Sequence, residues 1–124
     1  MTSLFKMDPT IKKKWVEALR SGEYKQGKGR LVTYKKSEGD FQFCCLGVLQ
    51  NIYHEENNTT FSRTRWRRGT VSEAVEKWAG LPIWVKPTKN KVKRTELTQL
   101  HLADLNDHTG SSFTAIARWI EGHM

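Results

Sequence analysis

The chain contains 124 residues with a mass of 14.4 kDa, and its 21 lysine and arginine residues outnumber its 13 aspartate and glutamate residues. This length predicts one domain, residues 1–124, with a core that needs no disulfide or metal. The sequence has no apolar run near the roughly 20 residues that cross a bilayer, so we expect no membrane partner and a cytoplasmic location. The net charge of +8 favours polyanionic partners.

The first predicted elements are a helix and a β-hairpin. Asp8 and Pro9 begin the helix, because an aspartate side chain accepts hydrogen bonds from free amides and proline at the first position loses none. The helix covers residues 9–21. Residues 31–34 and 41–44 are rich in β-branched and aromatic side chains and flank a polar, turn-forming segment, which predicts the hairpin.

The apolar spacing becomes helical after the hairpin. It predicts a buried helix from Cys45 to about Tyr53, and Gly47 within it indicates close backbone packing. Cys44 and Cys45 are neighbours whose Cα atoms lie about 3.8 Å apart across a trans peptide, too close for an ordinary disulfide. We therefore expect two free thiols in a reducing compartment.

The second half of the chain predicts two strands and three helices. Residues 61–68 form the first strand, and the capping-box residues Thr70 and Glu73 precede a helix over 71–79. The remaining predicted elements are a strand at 83–85, a basic loop at 86–94, a helix at 96–106 that ends at the turn-forming Asn106 and Asp107, and a last helix at 112–122 capped by Ser111 or Ser112.

Together these elements predict an α+β fold in which three to four helices pack on a small antiparallel sheet. No internal repeat interrupts the single domain. The predicted core comprises Trp15, Leu19, Cys45, Val48, Leu49, Ile52, Val75, Trp78, Leu102, Phe113, Ile116 and Ile120.

A basic glycine loop before the hairpin is the first candidate site. Its candidate ligand-binding residues are Tyr24, Lys25, Gly27, Lys28, Gly29 and Arg30. Glycines let backbone amides approach an anion, the cations neutralise it, and Tyr24 or Trp66 stacks on a base in this interpretation. The loop lacks the residue spacing of a phosphate-binding NTPase loop. A tight turn with a purely structural role is therefore the alternative interpretation of these residues.

An arginine cluster is the second candidate site. Arg63, Arg65, Arg67 and Arg68 surround Trp66, a combination in which cations contact phosphates while the aromatic ring stacks on a base. In a strand over 61–68, Arg63, Arg65 and Arg67 share one face. A solvated basic edge strand is the alternative interpretation.

The cysteines allow an enzymatic alternative, because a thiol at a helix start has a lowered pKa. A Cys-His-Asp set can be drawn from Cys44 or Cys45, His101 or His108, and Asp104 or Asp107. Adjacent cysteines in an apolar run are more typical of a core, and they lack the spacing of zinc ligands. We therefore expect a non-catalytic protein with no metal and no cofactor.

Four segments in a fixed order carry a resemblance. They are KWVEALRSGEYKQGKGRL, FCCLGVL, EAVEKWAGL and LADLNDHTGSSFTAIARWIE. Through them the chain resembles a widespread group of short bacteriophage and prophage proteins over about Lys14 to Glu121. The resemblance implies a phage-encoded cytosolic protein that acts in an infected bacterium, and it implies no catalytic residues.

The leading hypothesis is a phage accessory protein that captures a phosphate-bearing ligand, namely a nucleotide signal of host anti-phage defence. A homo-oligomer would help to enclose such a ligand. One alternative is a nucleic-acid-binding or regulatory protein that acts through residues 63–68 and 86–94. Another is an inhibitor that binds an acidic face of a host protein.

Overall fold

The computed structural model describes residues 2–3, 7–37, 39–81, 84–85 and 94–124. The helices within these residues are α1 (Pro9–Ser21), α2 (Cys45–Glu56), α3 (Arg63–Trp66), α4 (Glu73–Ala79), α5 (Arg94–Asp107) and α6 (Phe113–His123). The strands are β1 (Thr2–Ser3), β2 (Lys25–Gln26), β3 (Val32–Lys35), β4 (Asp40–Phe43) and β5 (Trp84–Val85). The α+β class is confirmed, although the described residues form six helices rather than three or four.

The main sheet has three strands in the order β2-β4-β3. β3 and β4 form the predicted antiparallel hairpin, with Val32 opposite Phe43 and Tyr34 opposite Phe41. The predicted small antiparallel sheet is confirmed for this hairpin, and the added strand β2 runs parallel to β4. A strand of two residues has no periodicity that a sequence pattern can register. β1 and β5 form a separate antiparallel pair, which includes two residues of the strand predicted at 83–85.

α1 begins and ends where its sequence predicts. The side chain of Asp8 accepts hydrogen bonds from the amides of Thr10 and Ile11 over 2.8 and 3.1 Å, and Gly22 ends the helix. Its buried face consists of Ile11, Trp15, Val16 and Leu19. α1 packs against α2 and α6, so the first and last of the described helices are neighbours.

The start of α2 is fixed by two close contacts. The Cys44 sulfur accepts a hydrogen bond from the Gly47 amide over 3.3 Å and thereby caps the helix. A β-carbon on Gly47 would lie 1.9 Å from the carbonyl oxygen of Leu31, so only glycine lets the helix approach the hairpin this closely. The close backbone packing predicted at Gly47 is confirmed.

The predicted core is largely confirmed. Every residue in it is buried except Trp78, which is half-buried and meets Tyr53 edge to face at a centroid distance of 5.2 Å. The Trp15 indole also donates to the carbonyl oxygen of Cys45 over 2.9 Å, joining α1 to α2 inside the core.

The strand predicted at 61–68 is wrong, because residues 63–66 form the one-turn helix α3. The Ser62 hydroxyl accepts a hydrogen bond from the Arg65 amide over 3.3 Å and starts this turn. Helical spacing brings residues four positions apart to the same side. Arg63 and Arg67 therefore share a side, whereas a strand would have aligned both with Arg65.

The remaining helices differ from prediction at their ends only. α4 begins after Ser72, whose hydroxyl accepts from the Val75 amide, rather than after Thr70. α5 includes Asn106, which was predicted to end it, and α6 is capped by Ser112 as predicted. Residues 86–93 of the predicted basic loop lie outside the described residues. None of the described helices combines the length and apolar character that a membrane crossing requires.

Candidate ligand-binding cleft

A cleft of about 690 Å³ opens between the β3–β4 hairpin and α3. It combines residues of the glycine loop, the hairpin and the arginine cluster. Its lining residues are Arg30, Val32, Thr33, Tyr34, Gly39, Phe41, Arg63, Trp66 and Arg67. Residues of both predicted sites, the glycine loop and the arginine cluster, thus line the same cleft.

A backbone hydrogen bond brings the two sites together. The Leu31 amide donates to the carbonyl oxygen of Arg68 over 2.8 Å, which fixes the chain after α3 against the start of β3. Arg30 and Arg67 are the sequence neighbours of this bonded pair. The helical turn of α3 adds Arg63 to the same side as Arg67.

Aromatic rings form the apolar part of the cleft. Tyr34 and Phe41 are cross-strand partners with ring centroids 4.9 Å apart, and Phe41 meets Trp66 nearly edge-on at 5.4 Å. The guanidinium of Arg63 lies 5.9 Å from the centre of the Trp66 ring. Tyr34 and Phe41 remain 51% and 47% exposed, so about half of each residue is accessible to a ligand.

The cleft carries positive charge that the described protein does not neutralise. Among the residues that the structure describes, its lining includes three arginines and no carboxylate. Among the ion pairs between described residues, none involves Arg30, Arg63 or Arg67. Guanidinium groups next to exposed aromatic faces suit a ligand that has both a phosphate and a planar ring.

Three of the predicted glycine-loop residues make structural contacts outside the cleft. The Tyr24 ring packs edge to face on Phe43, and its hydroxyl accepts a hydrogen bond from the Asn51 amide over 2.8 Å. Burial raises the pKa of Tyr24. Lys25 pairs with Asp40 over 2.5 Å. The Gly27 amide donates to the carbonyl oxygen of Phe43 over 2.8 Å, so it is already used by the sheet.

The middle of the glycine loop borders a second, smaller cavity. Lys28 and Gly27 line this space of about 340 Å³, and Thr33 borders both cavities. Gly29 has a φ of 80° in the exposed turn between Lys28 and Arg30. Of the six predicted ligand-binding residues, Arg30 alone lines the larger cleft.

The arginine cluster is divided by the helical turn. Arg63, Trp66 and Arg67 line the cleft, whereas Arg65 borders a cavity of about 250 Å³ on the other side of α3. There it donates to the Thr70 carbonyl oxygen over 3.5 Å. Arg68 is exposed, and its carbonyl accepts the bond from Leu31.

Asn106 holds the glycine loop in place, a role that sequence reasoning missed. Its fully buried side chain accepts hydrogen bonds from the Gln26 amide group over 2.9 Å and from the Cys45 backbone amide over 3.3 Å. It also donates to the Gly27 carbonyl oxygen over 2.7 Å. The sequence signal of Asn106, a turn-forming residue after Leu105, gave no indication of these distant partners.

The buried thiols do not have the lowered pKa that the enzymatic alternative requires. Burial raises the pKa of Cys44 to about 11. The hydrogen bond from the Gly47 amide lowers this pKa, but its effect is smaller than that of burial. Burial and the neighbouring thiol raise the pKa of Cys45 well above its usual range. The Cys45 thiol donates to the carbonyl oxygen of Leu102 over 3.6 Å. The expectation of a lowered pKa at this helix start was therefore wrong.

The fold and cleft define a small α+β domain with a basic, aromatic-lined surface. Residues 7–124 match the model of the family described as a domain of unknown function, DUF8296, and the chain belongs to that family. No curated protein and no solved structure matches the chain. The family match includes the cleft, the cysteine pair and Asn106.

Proposed function

We propose that the protein binds a nucleotide without transforming it, and that the cleft between the hairpin and α3 is the binding site. The observation that carries this proposal is the convergence of Arg30, Arg63 and Arg67 on one cavity whose wall contains exposed aromatic rings. Arginine forks pair with phosphate oxygens, and aromatic faces stack on bases.

The size of the cleft supports a small ligand. A volume of about 690 Å³ falls inside the range of roughly 300–1,000 Å³ typical of small-molecule sites. The cleft is open on one side, so the arginines remain exposed to solvent and each phosphate contact is weakened by screening. We expect micromolar rather than nanomolar affinity from a single protomer.

The biological role that we propose follows from the phage resemblance. A phage protein that captures a nucleotide signal of host defence needs affinity and abundance rather than catalysis. The raised pKa values of both thiols agree with a binding role, because a buried neutral thiol is a poor nucleophile. The host bacterial cytoplasm is the proposed place of action.

Titration calorimetry with adenosine 5′-monophosphate, a cyclic dinucleotide and inorganic phosphate tests the proposal. Arg67→Gln is expected to weaken nucleotide binding about 10- to 150-fold, because a hydrogen bond to a charged group contributes about 1.5–3 kcal/mol. Arg118→Gln removes the same charge from an exposed position of α6 outside the cleft and is the matched control. Equal affinities of the two variants, or no binding by the wild type, would contradict the proposal.

A nucleic-acid-binding function is the second candidate. The exposed side chains of Tyr34 and Phe41 could stack on bases, and Arg68 extends the basic surface beyond the cleft. Both features favour binding along a single-stranded nucleic acid. Affinity for a single-stranded RNA of about 20 nucleotides would then fall steeply with salt, in proportion to the phosphates contacted. Tighter binding of the RNA than of any mononucleotide would favour this candidate.

A further inference from the structure

The free edge of β3 forms part of the cleft. Val32, Thr33 and Tyr34 are consecutive, and side chains of consecutive strand residues point to opposite faces of a sheet. All three nevertheless line the cleft, Val32 with only 3% of its surface exposed. Such a lining is expected where a cavity runs along the edge of a strand, next to its backbone. Within the described residues β3 pairs with β4 alone, and its other edge has no strand beside it.

The hydrogen bonds of the hairpin identify the backbone groups at this edge. The Cys44 amide donates to the Leu31 carbonyl oxygen over 3.1 Å. In an antiparallel ladder, residues that face the partner strand alternate with residues whose N–H and C=O groups point away from it. Thr33 therefore faces β4, whereas the backbone groups of Val32 and Tyr34 point to the free edge.

Hydrogen bonds between β4 and the chain after β2 indicate the same alternation of backbone directions. Phe43 lies opposite Val32, and the Phe43 carbonyl oxygen accepts a hydrogen bond from the Gly27 amide over 2.8 Å. Gly27 follows β2, so this carbonyl points away from β3. Such an orientation is expected of a cross-strand pair that exchanges no hydrogen bonds.

We propose that this edge reads the base of the bound nucleotide, with the Val32 carbonyl as acceptor and the Tyr34 amide as donor. These two groups project from the same side of an extended chain. A nucleobase offers a matching pair, such as the exocyclic amine and adjacent ring nitrogen of adenine. This inference rests on the proposed nucleotide binding, and it names a ligand class: nucleotides whose base has an unblocked donor–acceptor edge.

The arrangement assigns separate tasks to the three parts of the cleft. The arginines hold phosphate, Phe41 and Trp66 provide aromatic faces, and the β3 edge supplies hydrogen bonds in the plane of the base. Backbone recognition leaves no side-chain signature, which is why the sequence gives no indication of it. A sugar phosphate without a base uses the arginines only.

Proline substitution isolates the backbone donor. Tyr34→Ala removes the ring, and Tyr34→Pro removes the ring and the amide hydrogen together. Proline is tolerated on an edge strand where the N–H faces outward, and the preceding residue, Thr33, is already extended. The comparison of these two variants therefore reports on one hydrogen bond.

Titration calorimetry with adenosine 5′-monophosphate is expected to show about five- to tenfold weaker binding to Tyr34→Pro than to Tyr34→Ala. Ribose 5-phosphate is expected to bind both variants equally. Equal binding of adenosine 5′-monophosphate by the two variants would overturn base reading, while a loss of affinity in Arg67→Gln would still support nucleotide binding. No binding by the wild type overturns both.

A ligand comparison tests the same inference without any substitution, in case Tyr34→Pro does not fold. N6,N6-dimethyladenosine 5′-monophosphate keeps the phosphate and the ring but lacks the amine hydrogens that the Val32 carbonyl would accept. The wild type is expected to bind it about five- to tenfold more weakly than adenosine 5′-monophosphate. Equal affinities would overturn the inference.

Discussion

The backbone amide of Leu31 donates a hydrogen bond to the carbonyl oxygen of Arg68 over 2.8 Å. This bond joins the start of β3 to the segment that follows α3. Because Arg30 and Arg67 adjoin the bonded residues, the same contact brings two like charges into one cleft. Both side chains are exposed, so solvent and salt screen their mutual repulsion, and an anionic ligand would relieve what remains of it.

Arg67→Gln is expected to weaken nucleotide binding without lowering the stability of the protein. The free energy of unfolding should stay the same or rise by up to about 0.5 kcal/mol, because removal of one arginine reduces repulsion at an exposed site. Urea unfolding without ligand measures this change, with Arg118→Gln as the control for net charge. A loss of more than about 1 kcal/mol would show that Arg67 has a structural role instead.

Gly47→Ala is expected to destabilise the protein strongly. The new β-carbon would lie 1.9 Å from the Leu31 carbonyl oxygen, and neither backbone can move without disturbing the core. We expect a loss of about 3 kcal/mol or more in the free energy of unfolding, measured with urea. Gly122→Ala in α6 is the control, since its β-carbon meets nothing within 4 Å. A similar result for both variants would contradict the proposed contact.

Asn106→Ala is expected to loosen the glycine loop from α2. The substitution leaves the Gly27 carbonyl and the Cys45 amide without their present partner, and each such buried group costs about 1–3 kcal/mol. We expect a loss of roughly 3 kcal/mol in urea unfolding. Asn57→Ala is the control, because Asn57 is exposed and its side chain donates a hydrogen bond to the nearby Tyr53 carbonyl oxygen of α2.

The protein is expected to lose stability in mild acid through His54. Burial lowers the pKa of His54 from its usual value near 6.5, and the charge of Arg65 lowers it further. Between pH 6.5 and the lowered pKa of folded His54, the unfolded chain binds more protons than the folded protein. The free energy of unfolding therefore falls as the pH decreases through this window. Urea unfolding at several pH values should give a flatter profile for His54→Gln. Equally steep profiles would contradict this assignment.

Both cysteines are expected to resist alkylation in the folded protein. With a pKa of about 11, only about one Cys44 thiol in a thousand is ionised at pH 8, and burial blocks access to both thiols. Intact mass measurement after iodoacetamide treatment should find no adduct in buffer and adducts on both thiols in concentrated urea. Rapid modification of the native protein would favour the enzymatic alternative.

Local signals predicted most helices because their causes are local. Asp8 and Ser112 cap the helices that follow them, and the apolar spacing after Cys45 defines the buried face of α2. The same reasoning failed at α3, where a single turn is too short for periodicity and the alternating arginines imitate a strand. Ser62 was the available signal, since serine is a common cap.

The candidate site was predictable only in part because long-range contacts assemble it. Arg30 and Trp66 were recognised separately, each from neighbouring basic residues. Their meeting depends on the bond between Leu31 and Arg68, which no short motif specifies. The buried position of Asn106 likewise depends on Gln26 and Cys45, both far away in the sequence.

The packing of α1 against α6 also constrains how the protein is made. Lys12 in α1 donates to the backbone oxygen of Glu121, close to the last residue described. During translation, α1 leaves the ribosome long before α6 is synthesised, and the part of α1 that packs on α6 stays uncovered in the meantime, even after α2 has formed. A growing chain stalled before α6 should therefore be a target for chaperones and proteases, whereas the released chain should not.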